Sequence, residues 1–185
     1  MAKKSAISLS QLLFRFLLAI ASTLLMVLGI DWLFSGYFLP LEAEQNKHSL
    51  LETSSCVGCY LESISLKETE LSQADLSRAN LSQANLSQAN LNRAYLLRTR
   101  LEQANITEAN LARANLFQAT LTQVNLSRTD LREANLSGAN LSGANLKGAN
   151  LKRADLSGAN LNKTKITEAI LDDHTIFPLN YPRPQ

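Results

Sequence analysis

From Leu61 onward every fifth residue is Leu, replaced by Ile only at Ile106, Ile166 and Ile176, so that 24 consecutive positions carry a large aliphatic side chain. The residue two before each of these centres is Ala in 16 of the 24 units. Thr69, Thr99, Thr129, Thr164, Cys59, Ile64, Val124 and His174 occupy the others. A step of five turns an α-helix by about 140° and would spread leucine around the whole circumference. On a flat strand, an odd step sends alternate leucines to opposite faces. Neither regular element buries the pattern. A chain that turns a corner after every five residues does bury it, because each short side then aims one large and one small residue at a common axis. Repeats of fixed short period are the mark of such solenoids.

The units ANLSQ, ADLSR and ANLSG resemble the pentapeptide-repeat family, whose unit is written A(D/N)LXX. The resemblance covers about two thirds of the chain. It implies an all-β fold, a right-handed quadrilateral β-helix with four units per coil. Six coils stacked at the strand spacing would make a rod of roughly 29 Å. The departures AYLLR, TRLEQ and HTIFP keep the inward pair apolar or small, except at His174. Asn or Asp before each centre suits a turn, where such side chains bond nearby backbone, so these columns read as architecture and not as ligand sites. Gly138, Gly143, Gly148 and Gly158 relax corners, and the many N-x-S/T matches are a by-product of the repeat. The solenoid is expected over residues 56–176. Phe177, Pro178 and Tyr181 in the tail 177–185 would close its last coil, and residues 40–55 would supply a linker and the N-terminal cap.

The amino-terminal part has a different composition. Lys3, Lys4 and Arg15 precede an uncharged run from Phe16 to Ile30, and apolar residues extend it from Leu12 to Leu39. A helix crosses the hydrocarbon with roughly 20 mainly apolar residues. Residues 12–39 are therefore expected to form one transmembrane helix, a signal anchor following a cytoplasmic segment 1–11. Arg15 and Asp31 would lie near the two interfaces, Trp32 and Tyr37 in the aromatic belt, and Pro40 would mark the stop. The basic flank precedes the span while Asp31, Glu42 and Glu44 follow it. The positive-inside rule then puts the N-terminus in the cytoplasm and the repeats outside it, in the periplasm or thylakoid lumen. A cleaved signal peptide shares the basic start and apolar middle but needs small residues at the cut, for which Leu41-Glu42-Ala43 is a poor match.

The segment SCVGCYLES places Cys56 and Cys59 at CxxC spacing. In the repeat register Cys56 falls on a centre and Cys59 two before the next, so both should point inward across one corner, compatible with a disulfide. Two buried cysteines packing as small hydrophobes would satisfy the register equally. Cyanobacterial members of the family often open the array with a similar pair, a resemblance that supports a role in the first coil. Thioredoxin-like redox chemistry needs a βαβ context that the pattern lacks. Only His48 could join the pair at a metal, short of four ligands. No Ser/His/Asp set, paired carboxylates or phosphate loop is visible, so neither an enzyme, a cofactor nor a small-molecule substrate is expected.

Residues 20 apart should stack in neighbouring coils. One such column alternates in charge, Arg113, Glu133, Arg153, Asp173, as a salt-bridged ladder would; another runs Gln83, Gln103, Gln123. A third sets Leu97 beneath Phe117, with Tyr95 on the same face and Arg78 and Arg98 beside it. This patch is either a docking spot for a partner or two stacked side chains helping to hold the coils.

Residues 51–185 carry 14 Lys and Arg against 13 Asp and Glu. Near balance announces no nucleic-acid-binding face. The family's DNA-mimicking inhibitors of gyrase need a strongly negative rod in the cytoplasm, which both charge and expected topology oppose. A thiol-disulfide protein using Cys56 and Cys59 is the other alternative. The leading expectation is a non-enzymatic, membrane-anchored scaffold that presents a rigid extracytoplasmic surface to an unidentified protein, with no nucleic acid bound.

Overall fold

The computed structural model describes residues 31–179, 181 and 182. The chain divides into two compact units, Met1–Leu39 and Pro40–Gln185. Among the described residues, helix α1 spans Asp31–Thr53. It runs through Pro40, contrary to the expected stop there. Proline removes one hydrogen-bond donor without ending the spiral when the neighbouring turns hold. Residues expected to be linker are thus helical. Most of the expected membrane span, together with Arg15, lies outside the described residues. Among the described residues no helix is long and apolar enough to cross a membrane.

From Ser55 the chain winds into square coils. Twenty parallel bridges join residues 20 apart, from Ser55 with Asp75 to Asn150 with Ile170. We number the faces in chain order by their bridge residues in the first coil: face 1 at Ser55, face 2 at Tyr60, face 3 at Ser65 and face 4 at Glu70. Every centre from Leu61 to Leu156 is at most 2% exposed. The Leu-and-Ala alternation therefore fills the axis as the period requires, large against small in each layer.

Every corner has one construction. The carbonyl of the centre accepts the amide of the residue three on, as Leu91 does from Ala94 at 3.0 Å. The second corner residue has positive φ, as in a type II turn. All 23 such positions from Gly58 to Glu168 lie between 54° and 70°, and 18 of them are not glycine. Gln, Arg, Glu, Lys and Ser accept that cost, of order 1 kcal/mol each, because the conformation turns the residue's own N–H along the rod. Arg78 N–H, for example, reaches the Leu97 carbonyl of the next coil at 2.8 Å.

Asn or Asp completes each corner from the side. All fifteen at the bridge position between Asp75 and Asn160 accept the N–H two residues on through Oδ1, as Asn80 does from Ser82 at 3.1 Å. Several also bond between coils, as Asn110 Nδ2 donates to Asn90 Oδ1 at 3.0 Å. Where Thr replaces inward Ala above the first coil, its hydroxyl donates to the centre carbonyl 23 residues earlier: Thr99 to Leu76, Thr129 to Ile106 and Thr164 to Leu141, at 2.7–2.8 Å. No buried side-chain nitrogen or oxygen lacks a partner among the described residues.

Both ends depart from the repeat. The end of α1 covers the first coil, burying Ala43 and Leu50. Asn46 Nδ2 donates to the Tyr60 carbonyl at 2.9 Å and Thr53 Oγ1 to the Ser55 carbonyl at 3.1 Å, supplying donors that an earlier coil would have given. Ser54, at φ 56°, ends the helix with its N–H on the Leu50 carbonyl, a left-handed C-cap.

At the other end the register slips. Asp155 bridges Ile176, 21 residues on. Asp172 Oδ1 accepts Arg153 N–H at 2.9 Å, where inner coils use a backbone carbonyl. Thr175 then takes the small inward place, its hydroxyl donating to the Leu151 carbonyl 24 residues earlier at 3.0 Å. Ile176, expected inside, is 52% exposed, and His174 is exposed as well. Phe177 becomes the inward residue, stacked on Tyr181 with ring centroids 5.6 Å apart, both packed against the core. The extra residue puts Thr175 in the small inward place that His174 would have occupied, which spares burial of an imidazole, and packs Phe177 against the core where Ile176 was expected.

Candidate functional site

Cys56 and Cys59 are joined by a disulfide, with Cα atoms 5.4 Å apart across the first corner. Both turn inward, Cys56 buried at 3% exposure and Cys59 packed against the core but only half-buried. No coil lies below the first, so α1 shields one sulfur better than the other. Among the described residues no three metal-ligating side chains gather. His48 instead meets Glu52 at 3.0 Å on the helix surface.

The charged column stands on the corner between faces 4 and 1. Arg113 binds Glu133 through two nitrogens, at 3.0 and 3.3 Å. That bond, with the Arg113 charge and those of Arg153 and Arg132, holds the Glu133 carboxyl below its ordinary pKa. Beside it, the one-residue slip brings Asp172 to Arg153, where the carboxylate accepts the backbone N–H at 2.9 Å. Of the glutamines, Gln103 donates to Gln123 at 3.2 Å.

Face 1 gathers the apolar surface. Tyr95 follows Ala94 at the bridge position and is 53% exposed, while Leu97 and Phe117, one coil apart just after their centres, are half-buried. Val57 lies two coils below Phe117's neighbour in the same column, with Ser77 between, and is 55% exposed. The tightness of the coils puts the column there: Arg78 and Arg98 amides donate to the Leu97 and Phe117 carbonyls at 2.8 and 2.9 Å, so side chains at these places must turn outward. Arg98 Nε donates to Gln118 Oε1 at 2.9 Å.

The spacing had not shown how the arginines are arranged. Arg93 and Arg113 stand on the corner where the chain enters face 1, and Arg78 and Arg98 share the corner where it leaves with Leu97 and Phe117, so four arginines flank Tyr95, Leu97 and Phe117. Reading columns 20 apart finds one corner at a time. The signal is visible only when two consecutive corners are set side by side.

Comparison with known proteins accords with the fold. The family model of pentapeptide repeats matches in eight copies, over residues 54–93, 84–123, 94–133, 109–148 and 134–173. A pentapeptide repeat protein of solved structure from the cyanobacterium Cyanothece 51142 is 34% identical, covering 72% of this chain and 98% of its own, with a TM-score of 0.28. Another from Nostoc Pcc 7120 is 36% identical over 58% of this chain and 77% of its own, TM-score 0.32. A third, from the Arabidopsis thaliana thylakoid lumen, is 29% identical over 54% of this chain and 66% of its own, TM-score 0.40. No curated protein matches. With the family model laid along the coils over more than half of the chain, the chain belongs to the pentapeptide-repeat family.

Proposed function

We propose that this protein is a membrane-anchored, non-enzymatic scaffold, held by a transmembrane helix over residues 12–39 and presenting its rod outside the cytoplasm for a protein to bind. The uncharged run from Phe16 to Ile30 behind Lys3, Lys4 and Arg15 supports the anchor and its orientation. The observation that carries the binding role is the fixed display of outward side chains. Bridges every 20 residues and bonded Asx corners hold each column in place before any partner arrives, so little ordering entropy is lost on binding. A gyrase-directed DNA mimic fits less well, because residues 74–153 carry ten Lys and Arg against five Asp and Glu, the wrong sign for imitating phosphates.

The test is topological. Ser157 lies exposed on a corner, and Cys56 and Cys59 are already joined, so Ser157→Cys adds a single reactive thiol. A membrane-impermeant maleimide should label it in intact cells whose outer barrier is permeable, or in vesicles of known sidedness. Labelling only after the inner membrane is lysed would place the rod in the cytoplasm and overturn the anchor's orientation.

A further inference from the structure

The bracketed patch on face 1 has a composition that selects among ligands. At its centre are Tyr95, Leu97 and Phe117, with the first more than half exposed. Arg93 and Arg113 stand on the entry corner, while Arg78 and Arg98 stand on the exit corner beside Leu97 and Phe117, and all four arginines are exposed. Arg113 is engaged by Glu133 and Arg98 by Gln118, whereas the guanidinium groups of Arg78 and Arg93 meet no hydrogen-bond or ion-pair partner among the described residues. Those two sit diagonally across the apolar centre. The one acid on this face nearby, Asp75, accepts the Ser77 amide.

We infer that face 1, between the second and fourth coils, docks an acidic protein segment: an extended stretch with an aromatic or branched aliphatic side chain seated among Tyr95, Leu97 and Phe117, and carboxylates on either side of it reaching Arg78 and Arg93. This deepens the scaffold reading and rests on it. Charge complementarity sets the sign of the ligand, and the apolar centre requires it to bring side chains as well as charge. The patch spans three coils, about 10–15 Å along the rod, the reach of a few extended residues.

An anionic membrane surface fits less well. A plane wide enough to rest on this face would also approach the capped end, whose net charge is acidic: residues 40–73 carry six Asp and Glu against two Lys and Arg, although Glu62, Glu68 and Glu70 stand on the other faces and corners of the first coil. The rod is thus dipolar, acidic at the capped end and basic along its middle. Only a narrow ligand can use the basic part alone.

The full chain in detergent micelles, immobilised by a C-terminal tag, would be panned against a phage-displayed library of short random peptides. Enriched sequences should carry Asp or Glu on both sides of Phe, Trp, Leu or Ile. A synthetic peptide of the enriched sequence should bind about tenfold or more weakly to the Arg78→Glu, Arg93→Glu double variant, as expected when steering and pairing charges are reversed. Glu occupies the same corner place at Glu68, Glu108 and Glu168, so this variant keeps the fold. Arg78→Gln with Arg93→Gln should fall between. A second variant, Leu97→Ser with Phe117→Ser, should weaken the same peptide. Enrichment without charge bias, or binding that survives the double reversal, overturns the proposal while leaving the scaffold reading intact. So does Arg78- and Arg93-dependent binding to phosphatidylglycerol vesicles that the peptide fails to displace.

Discussion

Replacing Leu116 by Ala tests whether the axis of the rod holds the molecule together. Leu116 is fully buried, one layer above Leu96 and one below Leu136, both 1% exposed or less. The substitution removes three carbons, about 2.4 kcal/mol at ~0.8 kcal/mol per buried methylene. The layers cannot close over the gap, because Leu96 N–H holds the Asn115 carbonyl at 2.8 Å and Leu116 N–H holds the Asn135 carbonyl at 2.7 Å. A persisting cavity raises the loss to about 3–4 kcal/mol. Leu171, in the last coil, is half-buried, and Leu171→Ala should cost about 1 kcal/mol on the same scale. Urea unfolding of the full chain in detergent, followed by far-ultraviolet circular dichroism with the disulfide intact, measures both. Because each coil touches only its neighbours, the central variant should also broaden the transition as the two halves uncouple. If Leu116→Ala costs no more than Leu171→Ala, the stacked leucines do not govern stability and the reasoning fails.

Gly143 has φ +70°, and a Cβ there would touch Gln123 Cγ at 3.4 Å, an ordinary contact; Gly143→Ala should therefore cost about 1 kcal/mol from backbone conformation alone, read as a shift in urea midpoint with unchanged slope. Glu133 has a depressed pKa chiefly through its bond from Arg113. A glutamate whose folded pKa lies below its unfolded one contributes stability above the unfolded value and loses it as pH falls through the folded one. The melting temperatures of the wild type and Glu133→Gln should differ near neutrality at low salt and converge below the ordinary glutamate range; a gap that widens on acidification would contradict the assignment. Asp172→Ala removes the acceptor of the Arg153 and His174 amides and of the Thr175 hydroxyl. Hydrogen exchange at Arg153 should accelerate while that at Arg113, whose acceptor is the Arg132 carbonyl, stays unchanged.

Period alone determined the solenoid, because no helix or strand can bury a leucine at every fifth place, and that geometry settles which residues face the axis from Leu61 to Leu171. The turn role of the Asn and Asp columns was equally legible, since a side chain two atoms from the backbone reaches the amide two residues on wherever the chain bends. Three features waited for the tertiary structure. The left-handed corners carry Arg, Gln or Glu at sixteen places and Gly at five, so local propensity gives no sign of a conformation imposed by stacking between coils. The slip between Asp155 and Ile176 depends on a carboxylate replacing a carbonyl one coil away, a contact across 19 residues that repeat counting passes over. The bracket of arginines around Tyr95, Leu97 and Phe117 joins residues that belong to different units and different corners. A strict repeat dictates where every side chain points, but which side chains become neighbours is decided by how the corners fold the line into a square.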